Sequence, residues 1–112
     1  MEIANSMKQT GLFDLGFNYI FLDDCWAGKN RSADGSIQED VARFPDGMRN
    51  FTKQIHDLGF KLSLYTDVGE TTCRGGRLGS WPFYAKDAHT FAVDWVIELF
   101  CQSFGLIFLA AN

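Results

Sequence analysis

Proline is scarce in this chain, at two residues in 112, and cysteine numbers only three. Cys25, Cys73 and Cys101 lie too far apart for any Cys-x-x-Cys pair, which argues against a zinc ribbon or a thioredoxin-like redox site. Basic residues are also few, 10 against 14 acidic, for a net charge of −4. They are scattered, and the densest group, Lys29 to Arg31, carries two charges. The basic stripe that neutralises nucleic-acid phosphates is therefore missing, and no nucleic-acid partner is expected. A long apolar run is absent too. The most apolar stretch, Phe100 to Ala111, is about 12 residues with Gln102 and Ser103 inside it, against the roughly 20 that a membrane span requires. The opening Met1-Glu2-Ile3-Ala4-Asn5 has no basic start followed by an apolar run, so no signal peptide and no membrane partner are expected. Neither a Ser–His–Asp nor a Cys–His set can be assembled, and no phosphate-binding Gly-x-Gly-x-x-Gly follows an apolar run. No metal site and no cofactor are expected.

What the chain does hold is aromatic mass: eleven Phe, and 15% aromatic residues in all. A length of 112 residues bounds it to one domain at most, which leaves little chain to bury so much apolar surface. The spacing of that surface alternates between two periods. Residues 2–14 read as a helix with Ile3, Met7 and Leu12–Phe13 inward, ended at Gly16. Phe17 to Leu22 reads as a buried strand, ending abruptly in Asp23-Asp24. A polar loop or hairpin follows from Ala27 to Glu39. Met48, Phe51, Ile55 and Leu58 then mark an amphipathic helix closed by Gly59. Lys61 to Thr66 is a second strand, a glycine-rich loop runs to Pro82, and Ala88, Phe91, Ala92 and Trp95 mark a third helix. Residues 97–100 could add a third strand.

Helices that alternate with strands predict parallel pairing through right-handed crossovers, hence an α/β fold. Both strands end in polar residues, Asp23-Asp24 and Tyr65-Thr66-Asp67, and barrel enzymes place their working groups at such strand ends. A (β/α)₈ barrel is therefore favoured over a doubly wound sheet. The Asp23-Asp24 pair reads either as a solvated turn or as two carboxylates able to ligate a hard metal, act as acid and base, or accept hydrogen bonds from a polyol. Trp26 beside them favours the last, since an aromatic face next to carboxylates suits a sugar. Tyr65 reads equally as a pocket donor or as a core residue. His56 and His89 read as surface residues of helices. Asn30-Arg31-Ser32 and Asn50-Phe51-Thr52 match the glycosylation tripeptide.

Gly16-Phe17-Asn18-Tyr19-Ile20-Phe21-Leu22-Asp23-Asp24-Cys25-Trp26 resembles the signature block of the glycoside hydrolase family 27 α-galactosidases and α-N-acetylgalactosaminidases. The resemblance continues in order through Arg43-Phe44-Pro45-Asp46-Gly47, Gly59 to Gly69, Thr72-Cys73, Gly79-Ser80 and Asp87 to Ala92, and covers roughly residues 2–96. It implies a partial (β/α)₈ barrel, the first half without strand 1 and without strands beyond about the fourth, followed by a divergent tail over residues 97–112. It also implies a retaining hydrolase of terminal α-linked galactose or N-acetylgalactosamine, acting on α-galactoside sugars. Asp23 and Asp24 would hydrogen-bond the sugar hydroxyls, and Tyr65 and Trp26 would line the same pocket. Cys25 and Cys73 would belong to disulfides whose partners lie outside this chain. Full-length members of the family are often homodimeric and are secreted or lysosomal.

The tail departs from the family. Where the family has a strand of the type Asp-Leu-Leu-Lys-Tyr-Asp-x-Cys, this chain reads Ile97-Glu98-Leu99-Phe100-Cys101-Gln102-Ser103-Phe104. In simple register Gln102 stands at the nucleophile and Phe104 at the cysteine, and no counterpart of the acid/base aspartate follows. No catalytic residue is therefore expected. The resemblance implies a truncated and inactive α-galactosidase-type chain, or alternatively a non-catalytic galactose-binding or non-functional fragment.

Overall fold

The computed structural model describes residues 1–102 and 105–108, the side chains of the last two strands excepted. The elements run α1 (Glu2–Gln9), β1 (Tyr19–Leu22), α2 (Met48–Asp57), β2 (Lys61–Thr66), α3 (Tyr84–His89), a π-helical turn (Thr90–Asp94), β3 (Leu99–Gln102) and β4 (Gly105–Phe108). They form one open sheet in the order β1-β2-β3-β4. β1, β2 and β3 are parallel, with Leu22 opposite Leu64 and Thr66 opposite Gln102. β4 turns back antiparallel to β3. Parallel strands joined through α2 and α3 in an unclosed sheet make this the α/β architecture of a partial barrel.

The core lies between the sheet and its helices. The period of two along β2 sends Leu62, Leu64 and Thr66 to the helical side, where each is 0% exposed. There they meet α2, whose Met48, Thr52 and Ile55 are buried while Phe51 and Leu58 pack at the margin, as the spacing predicts. Gly59, at φ +86°, ends that helix, and its N–H donates to the His56 carbonyl (2.7 Å). Phe13 meets Phe60 edge-on at 4.7 Å and fixes the end of the first helical segment against the same core.

Three sequence expectations need correction. α1 stops at Gln9, because Thr10 turns its hydroxyl onto the Ser6 carbonyl and residues 10–16 form turns. Ile3 and Leu12 consequently face solvent, and Ala4 is the buried residue of the helix. β1 is not a buried strand. Its Ile20 and Leu22 pack on the core, but Phe17, Tyr19 and Phe21 are exposed, because the inner face of an open sheet has no opposing strands to cover it. His56 is half-buried rather than free on the surface, with Nε2 2.7 Å from the Glu98 carboxylate. That carboxylate also accepts the Leu62 N–H (2.9 Å), which ties α2, β2 and the start of β3 together.

The third helix changes pitch at its end. Trp95 N–H donates to the Thr90 carbonyl five residues back (2.9 Å), the bond of a π turn, and Val96 follows at φ +58°. A β-branched side chain in that region crowds the backbone carbonyl. Val96→Gly should raise the unfolding midpoint, by about 1 kcal/mol after the added chain entropy of glycine is offset. Arg31→Met should act oppositely. It would leave the Asp87 carboxylate, 1% exposed, without the guanidinium now 2.6 Å away, a change that costs about 3–5 kcal/mol when a buried pair is broken. Denaturant titration followed by tryptophan fluorescence checks both. An unchanged midpoint in either variant contradicts the corresponding contact.

Candidate functional site

The two parallel strands deliver their C-terminal ends to one edge of the sheet, and a cleft of about 500 Å³ opens there. Asp23, Asp24 and Cys25 line it from the end of β1, Tyr65 from β2, Cys73 and Arg74 from the glycine-rich loop, and Arg43 from the segment before α2. Residues as far apart in sequence as Asp23 and Arg74 thus meet because βαβ crossovers bring equivalent strand ends to the same side.

The loop that closes the cleft is built on a close backbone approach. A Cβ on Gly79 would lie 2.2 Å from the Gly69 carbonyl oxygen, so only glycine fits. From that crossing, Ser80 N–H donates to the Asp67 carbonyl (2.9 Å), and the Ser80 and Thr66 hydroxyls hydrogen-bond at 3.0 Å. Beyond it a small hairpin, with Thr71 bridging Leu78 and Gly75-Gly76 both at positive φ, holds Cys73 and Arg74 over the strand ends. Arg77 clamps this hairpin to the preceding loop through the Ala27 carbonyl (2.9 Å) and the Asp40 carboxylate (2.7 Å). The hydrogen bond from Arg77, above the opposing effect of desolvation, holds the Asp40 carboxyl below the usual carboxylate range.

Asp24 is the most constrained group of the cleft. Its partial desolvation favours the neutral acid, but the Thr72 hydroxyl, the Arg74 and Cys25 N–H groups and the Arg74 charge together outweigh it and lower the pKa below 3.8. The N–H donors stand at 3.1 Å (Arg74) and 2.6 Å (Cys25). The Thr72 hydroxyl is buried without a well-aligned partner, so its influence on Asp24 is electrostatic more than a formed hydrogen bond. Asp23 is more open and accepts the Asp24 N–H (2.7 Å). The Tyr65 hydroxyl donates at 3.3 Å toward the Asp67 carboxylate and lies 3.3 Å from the Cys73 sulfur. The arrangement offers two carboxylate acceptors, a phenol and two guanidinium groups, which is chemistry for hydroxyl-rich ligands. Among the described residues no group of three or more His, Cys, Asp or Glu could hold a metal ion.

Asp23, Asp24 and Tyr65 therefore come together as their positions at the strand ends predict, and Trp26 does not join them. It is 4% exposed, packed edge-to-face against Phe91 and Trp95 with centroids 5.7 Å apart, and its indole N–H donates to the Tyr65 carbonyl (2.5 Å). The cause is Cys25, at φ +76°, which reverses the chain after Asp24 and turns Trp26 toward the helices. The expected disulfide chemistry is corrected as well. Cys25 and Cys73 are free thiols, both open to the cleft, and no disulfide is found among the described residues. Phe104, the counterpart of the family cysteine, lies outside those residues.

Sequence reasoning missed Arg43, Arg74 and the pairing of Arg31 with Asp87. Arg31 donates to both Asp87 carboxylate oxygens (2.6 and 2.7 Å) and to the Gly35 and Gly79 carbonyls. No local pattern signals a pair 56 positions apart. A second cleft, of about 530 Å³, lies against the outer side of α2. Its Arg, Lys and His side chains are already engaged, Arg49 with the Asp94 carbonyl, Lys53 with Asp57 and His56 beside Glu98, and none of them comes from the strand ends.

Residues 1–105 match the family profile described as alpha galactosidase A. Human alpha-galactosidase A is 43% identical over 99 residues, which cover 88% of this chain and 23% of the human protein. Human alpha-N-acetylgalactosaminidase is 39% identical over 99 residues, 88% of this chain and 24% of the relative. Among solved structures, alpha-galactosidase I of Mortierella vinacea superposes with a TM-score of 0.83 at 35% identity, over 88% of this chain and 24% of that one. The Saccharomyces cerevisiae alpha-galactosidase solved with raffinose superposes with a TM-score of 0.84 at 34% identity, over 90% and 22%. The chain thus spans about a quarter of the length of the relatives it matches. With strand ends, loop and sequence blocks all in the order of these enzymes, the chain belongs to the alpha-galactosidase A family of glycosidases.

Proposed function

We propose that the cleft at the ends of β1 and β2 is part of an α-galactoside-binding site, and that these 112 residues bind terminal α-galactose without hydrolysing it. Asp23 and Asp24 accept hydrogen bonds from the sugar hydroxyls, and Tyr65 lines the same wall. The observation that carries this reading is the convergence of two carboxylates and a phenol on one cleft, with Asp24 held ionised by its neighbours. The family supports the substrate class, and the yeast relative was solved with raffinose, which makes that sugar a suitable probe.

Hydrolysis with retention needs two carboxyl groups about 5–5.5 Å apart across the glycosidic bond, one attacking and one transferring a proton. The family register gives the nucleophile position to Gln102, whose Cα stands opposite Thr66 at the end of β3. A carboxamide has neither the charge nor the basicity for that attack. Asp24 is held by backbone N–H groups and acts as an acceptor, so it does not replace the missing pair. General acid–base catalysis alone is typically worth about 10²–10⁴-fold, and the covalent route is lost with it.

The chain should release p-nitrophenol from its α-galactoside at the rate of buffer alone. Stoichiometric, sustained turnover by pure protein would place the catalytic residues elsewhere and end this reading. Raffinose or galactose should nonetheless shift cleft resonances in NMR titration. Asp24→Asn should weaken that binding at least about tenfold, because a hydrogen bond to a charged group contributes about 1.5–3 kcal/mol. The pH dependence follows from the lowered pKa of Asp24. The carboxylate is charged above its ordinary value of 3.8, so binding should persist from neutral pH down to that range and fade only below it. Loss of binding between pH 7 and 5 would assign the contact to another group.

A further inference from the structure

Two tripeptides have the form read by the N-glycosylation machinery, and the sugar cleft uses neither. The fold separates them. In Asn30-Arg31-Ser32 the hydroxyl is taken by its own neighbourhood. Ser32 Oγ donates to the Asp34 carboxylate (2.5 Å) and lies 3.2 Å from the Ser36 carbonyl, while Ser36 N–H donates to Asp34 and Gly35 N–H to the Ser32 carbonyl. Every partner is within four residues, so this turn closes on the time scale of local contacts, ahead of tertiary structure.

Asn50-Phe51-Thr52 behaves differently. Asn50 is exposed in the first turn of α2, and among the described residues no hydrogen bond engages its carboxamide. Thr52 is 1% exposed and donates to the Met48 carbonyl (3.0 Å), so its hydroxyl is out of reach in the folded chain. That bond exists only when α2 is formed. A ten-residue helix is marginal in isolation, and this one packs on Phe60, Leu62 and Leu64, which follow it in the chain. A nascent chain therefore presents the tripeptide extended with its hydroxyl free, and the folded chain leaves the modified Asn50 facing solvent.

We propose that Asn50 is an N-glycan acceptor filled before α2 folds, and that Asn30 stays bare. In the transfer, the Asn50 Nδ2 bonds to the anomeric carbon of a lipid-linked oligosaccharide. The bond from that carbon to the carrier's pyrophosphate breaks, the pyrophosphate leaves with the electron pair, and the amide nitrogen gives up one proton. The glycan then stands at the mouth of the cleft beside α2, which Asn50 lines with Arg49, Lys53 and Trp95. This assignment is independent of the galactoside-binding site.

The full chain, translated behind a cleavable signal sequence in the presence of endoplasmic-reticulum microsomes, reports acceptor use whether or not it folds afterwards. The expected result is a mobility shift of one glycan, reversed by peptide-N-glycosidase F and kept in Asn30→Gln. Asn50→Gln should abolish it, and so should Thr52→Val, which keeps the side-chain shape and leaves the asparagine in place. Absence of any shift overturns the proposal. So does a shift that survives Asn50→Gln and disappears in Asn30→Gln.

Discussion

The ion pair between Arg31 and Asp87 is the constraint on which the loops of this molecule depend. One guanidinium meets a fully buried carboxylate with both of its terminal nitrogens, and each of these donates a second N–H to a backbone carbonyl, with the Phe83 ring 4.3 Å from its carbon. Each of those contacts belongs to a different piece of chain: the long loop after β1, the glycine-rich loop after β2, and α3. Removing a charge pair from water is costly, and the geometry offsets the cost because both terminal nitrogens of Arg31 fill their donor directions with the carboxylate and the two carbonyls. The consequence reaches the cleft at one remove. The Gly79 carbonyl held by Arg31 is next to the backbone crossing with Gly69, and that crossing sets where Cys73 and Arg74 sit over the strand ends.

The fold was legible where short-range physics decides it. Met48, Phe51, Ile55 and Leu58 share one face of α2 because a 3.6-residue period does so in any context, and Gly59 supplies the left-handed stop. The strand over residues 61–66 was equally plain, since its apolar positions are enclosed on the helical side whatever else the sheet does. Legibility failed where the outcome depends on covering partners. The aromatic residues of β1 read as buried, and their burial needs neighbours on the inner face that the open sheet does not have. The site divides in the same way. Asp23, Asp24 and Tyr65 follow from strand direction alone, whereas the orientation of Trp26 hinges on one left-handed residue, Cys25, whose conformation no composition rule anticipates. In the sequence Arg31 was only one of the two charges in the densest basic group, and its partner 56 residues away is visible only once the chain is folded.

The cleft balances opposite charges over a short span. Asp24 is surrounded by donors from its own turn and from the hairpin above it, so its negative charge belongs to the folded backbone as much as to the side chain. The hairpin in turn is fastened at Arg77, away from the cleft, to Asp40 and the Ala27 carbonyl. Placement of the acceptor groups and anchoring of the loop are thereby assigned to separate residues. The two thiols contribute no covalent tie to either task.

The direction of β4 has a consequence for how far this architecture can be continued. A barrel of the family's kind grows by adding strands that all point the same way, each new one lying beside the last. Here the position beside β3 is occupied by a strand running backward, with Leu99 opposite Phe108 and Gln102 opposite Gly105. The hairpin therefore acts as a plug at the growing edge. While it is in place, no parallel strand can dock against β3, and the wall that such strands would build on the far side of the sugar cleft has no foundation there. Among the described residues the opposite edge, at β1, carries no such stop.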